Sequence, residues 1–227
     1  MNTSLSLRKI YNILYASYGP QSWWPADTPF EVMLGAILTQ NTNWTNVERA
    51  VAGLRSVVSL TPAGVLSLPD AKLQEAIRPS GYFRQKAARL QIFCRYLLDK
   101  YDGQIEYMKG VPTRELRHEL LDLAGIGPET ADSILLYACA LPVFVVDAYT
   151  VRLFARLGLC EDNAKYDKVQ ALFMDNLDPD VQMFNEYHAL IVRHVKERCR
   201  KREPKCGDCK IRDMCAFYLR SQISDLR

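Results

Sequence analysis

The chain has 227 residues, 48% of them hydrophobic, which is enough for one large or two modest domains, each with its own core. It contains no run of about 18 apolar residues and no basic, apolar, small-residue leader pattern, which argues against a membrane span or a secretory leader and for a cytoplasmic protein. The net charge of +3 is unevenly spread: residues 191–227 hold 11 Lys or Arg against 5 Asp or Glu, a net of +6, so the rest sums to −3 and the basic tail suggests a polyanion partner.

In chain order, residues 6–18 carry Leu7, Ile10, Tyr11, Leu14 and Tyr18 at spacings of three and four, which predicts an amphipathic helix ending at Gly19-Pro20. Residues 21–27 form a loop holding Trp23 and Trp24. Thr28-Pro29-Phe30-Glu31 places a cap, a helix-starting proline and a capping-box acid in order. The helix that starts there is apolar nearly all round, so it is buried, and it delivers Gln40-Asn41-Thr42-Asn43-Trp44 at its exit. The helical period continues over 44–57, Thr61-Pro62 opens a short helix, and 70–77 forms another. Pro79-Ser80-Gly81 is a turn before a long helix over 84–101, with Ala87, Leu90, Phe93, Leu97 and Leu98 inward. Pro112-Thr113 starts the next, and 148–157, 167–176 and 179–197 are helical beyond it. No alternating strand appears, and 143–146 is too short for a sheet. The fold class is all-α, with about ten helices and short loops.

Between these helices lies LAGIGPET, followed by an isolated acid, Asp147. Glycines flanking Ile126 allow a tight turn, and Pro128 is preset to start a helix. The N–H groups of such a turn suit a phosphate, although two packed helices with Ile126 as a core plug would look the same in sequence. Seven cysteines is an odd number, and four of them fall within 17 residues, which fits metal ligation in a reducing compartment better than disulfides. Cys199, Cys206, Cys209 and Cys215 are spaced C-x6-C-x2-C-x5-C. Four-cysteine zinc sites usually pair two short hooks, and only Cys206 and Cys209 form one, so the wide gaps favour a [4Fe-4S] cube ahead of zinc. Cys94, Cys139 and Cys160 sit in apolar contexts as buried, inert thiols.

The hairpin, the acid 20 residues after it and the cysteine spacing together resemble the endonuclease III-like DNA glycosylases of the helix-hairpin-helix superfamily, over about residues 30–215. The resemblance implies a two-lobed helix-hairpin-helix DNA glycosylase fold, a six-helix barrel lobe plus an iron-sulfur cluster lobe, with a DNA cleft between them. The barrel domain would span 24–137, and 1–23 with 138–227 would form the cluster domain. It further implies a [4Fe-4S] cofactor, a monomer acting on double-stranded DNA with a damaged base, and a cytoplasmic, nucleoid-associated setting in a bacterium or archaeon.

By the same resemblance Asp147 is the catalytic acid. Gly125, Ile126, Gly127 and Thr130 would bind DNA with the hairpin, Gln40 would fill the gap left by a flipped base, and Tyr82 would wedge the opposite strand. Arg84, Lys86 and the tail residues Arg200, Lys201, Arg202, Lys205 and Lys210 would meet phosphates. Bifunctional members carry a lysine two residues after the second hairpin glycine, where this chain has Glu129. A carboxylate cannot form an imine, which points to a monofunctional enzyme using water. Trp23, Trp24 and Trp44, with Glu129 and Lys196, would form a base pocket, and PSGYFRQKA with LTQNTNW resembles the 3-methyladenine branch. The alternatives are oxidised-pyrimidine removal with lyase cleavage and a non-catalytic DNA-binding iron-sulfur protein.

Overall fold

Leu7, Ile10 and Leu14 share one face of α1 (Thr3–Tyr18), and all three are fully buried, as their spacing requires. The computed structural model describes residues 3–224. It divides the chain into two compact units, one of Trp24–Leu141 and one of Met1–Trp23 with Pro142–Arg227.

The first of these units is built around α2 (Pro29–Leu38), in which all nine residues after the proline are buried. Its start follows the sequence pattern with one shift. Thr28 Oγ1 accepts from Glu31 N–H at 3.2 Å, while the Glu31 carboxylate accepts from Asp27 N–H at 2.7 Å, one residue before the cap. Against α2 pack α3 (Trp44–Val57), α6 (Phe83–Tyr101) and α9 (Pro128–Ser133), while α4 (Pro62–Ser67), α5 (Asp70–Ala76) and α7 (Ile105–Lys109) lie on α6 and α8 (Thr113–Asp122) lies on α9. Asn43 and Thr61 cap α3 and α4 with side-chain oxygens at 3.0 Å from Asn46 N and Gly64 N. Past α9 the helix widens into a π turn at Ile134–Ala138. Composition holds no signal for that widening, and the five residues of α7 are too few to show a period.

The second unit packs α1 with α10 (Ala148–Leu157), α11 (Tyr166–Met174), α12 (Val181–Glu197) and α13 (Ala216–Ser224). Its centre is aromatic: Phe144 stacks on Phe173 with centroids 3.7 Å apart, and Phe154, Phe184 and Tyr187 meet them edge-on. Each such buried ring contributes about 2 kcal/mol. Val143–Val146 runs through this core without helical structure, and among the described residues no strand pairs with it. Side chains take the place of a sheet. Phe144 N–H donates to Met174 Sδ at 3.3 Å, Gln170 Nε2 donates to Phe144 O at 2.7 Å, and Val146 N–H donates to Tyr166 Oη at 3.3 Å. The segment ends at Asp147, whose position is therefore set by a fully packed run. The sequence pattern did not anticipate α13, whose Phe217 and Leu219 remain exposed and give no clean apolar face.

Candidate active site

The hairpin between α8 and α9 is made by one glycine of left-handed geometry and one of open approach. Gly125 has φ +87°, which side chains disfavour, and a Cβ there would collide with Arg89, whose Cγ would lie at 2.7 Å. Gly127 is extended (φ −97°, ψ 176°), and nothing lies within 4 Å of where its Cβ would be. Its missing side chain is not needed for the turn but leaves room for an approaching group. Ile126, 6% exposed, does plug the core, and Pro128 starts α9. Arg117 on α8 grips Asp132 on α9 with two bonds of 2.7 and 3.0 Å, and the Asp132 side chain is fully buried. That ion pair fixes the two arms of the hairpin. Glu129 is exposed on the first turn of α9, where the helix dipole favours an acid, and Thr130 is buried beside it.

Gln40, at the exit of α2, lies on this hairpin. Its Nε2 donates to Gly125 O and to Thr130 Oγ1, both at 3.0 Å, and its Oε1 accepts from Arg89 Nη1. The neighbouring Asn41 has φ +55° and Tyr82 has φ +46°, both unusual for residues with side chains. Tyr82 is 64% exposed and Arg84 is exposed as well. Two residues expected to probe DNA thus sit at or beside strained backbone.

Lys86 corrects the sequence reading. It was expected at a phosphate, but it is 1% exposed and donates to Leu38 O at 2.8 Å and Ser80 O at 2.7 Å. The side chain turns inward because it can satisfy the C-terminal carbonyls of α2 and of the Arg78–Ser80 turn. It thereby ties the Gln40 loop to the Tyr82 turn. Burial, with the nearby Arg89, lowers its amine from 10.5 to about 8. The folded protein therefore binds fewer protons than the unfolded chain between those values, and stability should rise with pH across that window. Denaturation midpoints between pH 8 and 10.5 should show the rise in the wild type and lose it in Lys86→Met.

The tryptophans divide between the units. Trp24 meets Trp44 edge-on at 5.1 Å and Tyr137 at 5.4 Å, and it crosses Gly35, where a Cβ would stand 3.0 Å from its ring. Trp24 and Trp44 line a cavity of about 780 Å³ that also holds Glu31, Glu48 and Arg55. Arg55 pairs with Glu31 and, at 2.8 Å, with Asp27, which braces the Trp24 loop against α2 and α3. Trp23 belongs to the other unit, where it lines a cavity of about 550 Å³ with Lys196 and Arg193. Lys196 is exposed, with its Nζ 5.9 Å from the Tyr149 ring centroid.

Asp147 caps α10 as its sequence context predicts. Its Oδ1 accepts from Thr150 N–H at 2.7 Å and Thr150 Oγ1–H at 2.8 Å, and its Oδ2 lies 3.7 Å from His188 Nε2. The side chain is 11% exposed. Burial pushes the carboxyl up, but His188 and the two Thr150 bonds outweigh it and hold it below its ordinary value of 3.8. One oxygen is thus spent on the cap while the other stays anionic.

The four clustered thiols Cys199, Cys206, Cys209 and Cys215 line one small cavity with Arg156, His194 and Pro204. Arg156 Nη1 donates to Cys199 Sγ at 3.2 Å and to Arg200 O at 2.8 Å, and His194 Nε2 is 3.6 Å from Cys209 Sγ. Among the described residues no three His, Cys, Asp or Glu side chains are grouped as ligands of one metal ion. The four thiols share that one cavity, and as thiolates they are the donor type that iron-sulfur clusters and zinc both take. Arg200, Lys201, Arg202, Lys205 and Lys210 are exposed around them. Cys94 and Cys139 are buried, with thiols pushed up to about 12 by burial, whereas Cys160 is only half-buried, beside the turn that ends α10.

Sequence reasoning missed His188, Arg89 and Tyr137. His188 and Arg89 sit mid-helix at ordinary periodic positions and Tyr137 sits in the π turn, so only packing reveals them.

Two helices joined by a glycine turn and pinned by a buried ion pair define a helix-hairpin-helix protein. The family model for the HhH-GPD superfamily base excision DNA repair proteins matches residues 34–179, and the chain belongs to this family of DNA glycosylases. It is 48% identical over 208 residues to a Methanocaldococcus jannaschii protein named as a DNA repair glycosylase, covering 91% of this chain and 94% of that one. It is 29% identical over 199 residues to Endonuclease III of Thermotoga maritima, covering 88% of each. Among solved structures, a non-covalent Endonuclease III–DNA complex superposes with TM-score 0.83 at 24% identity, covering 98% of this chain and all of that one, which establishes the shared fold. The H. pylori 3-methyladenine DNA glycosylase bound to 1,N6-ethenoadenine superposes with TM-score 0.72 at 29% identity, covering 87% and 98%. No helix among the described residues is long and apolar enough to cross a membrane.

Proposed function

We propose that this glycosylase is monofunctional and releases alkylated purines such as 3-methyladenine from double-stranded DNA, with water as the nucleophile. The observation that carries the reading is Glu129: the exposed first-turn position of α9 presents a carboxylate, which cannot form the imine that strand cleavage requires. Similarity to the H. pylori enzyme, whose ligand is a modified purine, supports the choice of base. So does the Trp24–Trp44–Tyr137 group, since electron-rich faces select flat, positively charged bases.

In this reading the hairpin receives a DNA phosphate above Gly127, Gln40 fills the space of the flipped base, and Tyr82 wedges the opposite strand. Breaking the bond from base to sugar builds positive charge on the sugar. Asp147 Oδ2 opposes that charge and orients the attacking water, while Oδ1 stays bound to Thr150. Trp23 and Lys196, which line a cavity of their own unit, are assigned to base recognition by the family resemblance. Cys199, Cys206, Cys209 and Cys215 would hold a [4Fe-4S] cluster whose contribution is to shape the basic loop; Arg156 orders that loop through the carbonyls of Cys199, Arg200 and Lys201. The purified protein should be brown and contain iron and sulfide in equal amounts. A colourless protein holding one zinc per chain would sink the cluster.

The relatives named Endonuclease III favour a second reading, oxidised-pyrimidine removal with lyase cleavage through another amine such as Lys196. One panel separates the two. Duplexes with 3-methyladenine, 7-methylguanine, hypoxanthine, uracil, thymine glycol or mismatched thymine are scored for base release, with borohydride added to trap an imine. Release of the methylated purines with no covalent adduct is the expected result. An adduct on thymine glycol or abasic DNA would overturn the monofunctional assignment.

A further inference from the structure

The side chain assigned to probe the duplex is bonded to two helices, α6 and α9, and to the turn before α9. Gln40 Nε2 donates to Gly125 O and Thr130 Oγ1, both at 3.0 Å, and Gln40 Oε1 accepts from Arg89 Nη1. The stem of Arg89 lies directly under Gly125, so that a Cβ there would displace it. Arg89 is half-buried on α6, one turn after Lys86, whose amine holds the carbonyl of Leu38 two residues before Gln40. Two cations on the start of α6 therefore set the exit of α2, one through the backbone and one through the probing amide.

We propose that Arg89 is a positioning residue for base flipping: its guanidinium and stem lock Gln40 to the hairpin, so that contact of the hairpin with the DNA backbone sets where Gln40 enters the duplex. The inference rests on the role of Gln40 proposed above. A glutamine has three rotatable side-chain bonds, and free in solvent it would occupy many orientations. A charge-assisted bond to a partly desolvated guanidinium selects one of them, by about tenfold or more. The amide is also fixed relative to Gly125 and Thr130, on the turn that would meet the phosphate. Placement of the probe and grip on the backbone are then a single geometry.

The test uses a duplex with 2-aminopurine beside a tetrahydrofuran abasic analogue, read by stopped-flow fluorescence for flipping and by anisotropy for binding. Arg89→Met keeps the apolar stem under Gly125 and removes the guanidinium. It should bind undamaged duplex within about threefold of wild type yet lose about tenfold in the flipping equilibrium. Arg89→Lys keeps charge without the fork and should recover part of the loss. Gln40→Ala should show the same flipping defect, and the double variant no further loss, because the two residues act as one unit. Thr130→Ala, which removes a single acceptor, should lose about threefold and covers the case in which Arg89→Met misfolds. Wild-type or enhanced flipping in Arg89→Met, or additive losses in the double variant, would overturn the inference while leaving Gln40 a probe. If Gln40→Ala itself flips bases normally, the role of Gln40 in the proposed function fails as well.

Discussion

Asp147→Asn should abolish base release while leaving the fold and DNA binding intact. Asparagine caps helices about as well as aspartate, and its Oδ1 can accept the same two bonds from Thr150, so stability should change by less than about 1 kcal/mol. What is lost is the negative charge at Oδ2. Fixed charges at a developing cation act in a low-dielectric site without reorganisation, and removing one should slow release by about 10²–10³-fold. Single-turnover rates on a 3-methyladenine duplex, alongside binding to an uncleavable abasic analogue, measure the two effects separately. Equal losses of rate and binding would show that Asp147 acts structurally. The acid dependence follows from the same carboxyl. Because its folded value lies below 3.8, the stability it contributes is present above that pH and is lost only as pH falls through the folded value. Asp147 should therefore stay ionised at neutral pH, and its acid limb should disappear in Asp147→Asn.

The second large effect concerns the hairpin scaffold. Asp132→Ala removes the fully buried partner of a two-bond ion pair and leaves the Arg117 guanidinium, whose side chain is only 25% exposed, without its carboxylate. Breaking such a pair from one side costs about 3–5 kcal/mol, far more than the pair's net contribution to stability. Chemical denaturation should show a loss of that size. Duplex affinity should fall too, since α8 and α9 are no longer held at one angle. The double change Asp132→Leu with Arg117→Met, which replaces charge by apolar volume, should restore most of the stability. If Asp132→Ala costs under about 1 kcal/mol, the ion pair does not hold the hairpin.

Much of the molecule was legible in sequence because it rests on local rules. Thr28, Thr61 and Asp147 announce helix starts, and each caps one with its own side chain; Asn43 and Asp180 do the same in the structure, the latter starting its helix two residues after the expected Pro179. The buried stripe of α1 and the nearly all-round burial of α2 follow from apolar spacing. The cysteine spacing and the hairpin glycines are likewise properties of short segments. Where local rules competed with tertiary packing, packing decided. Lys86 reads as a surface cation on an amphipathic helix, but two unsatisfied helix-end carbonyls draw it inward. Gly127 reads as a turn glycine, yet its backbone is extended and the space beside it is what matters.

The all-α class, most helix starts, the acid on its cap and the thiol spacing are legible in the amino-acid order, because each depends on residues within about one or two helical turns of one another. Three features emerge from packing alone: His188 faces Asp147 from α12, Arg89 and the hairpin both bond Gln40, and side chains rather than strands bond the buried Val143–Val146 run. Those contacts join residues 20 to 90 positions apart. Such pairings arise from how helices pack against each other, which no periodicity within a single helix encodes.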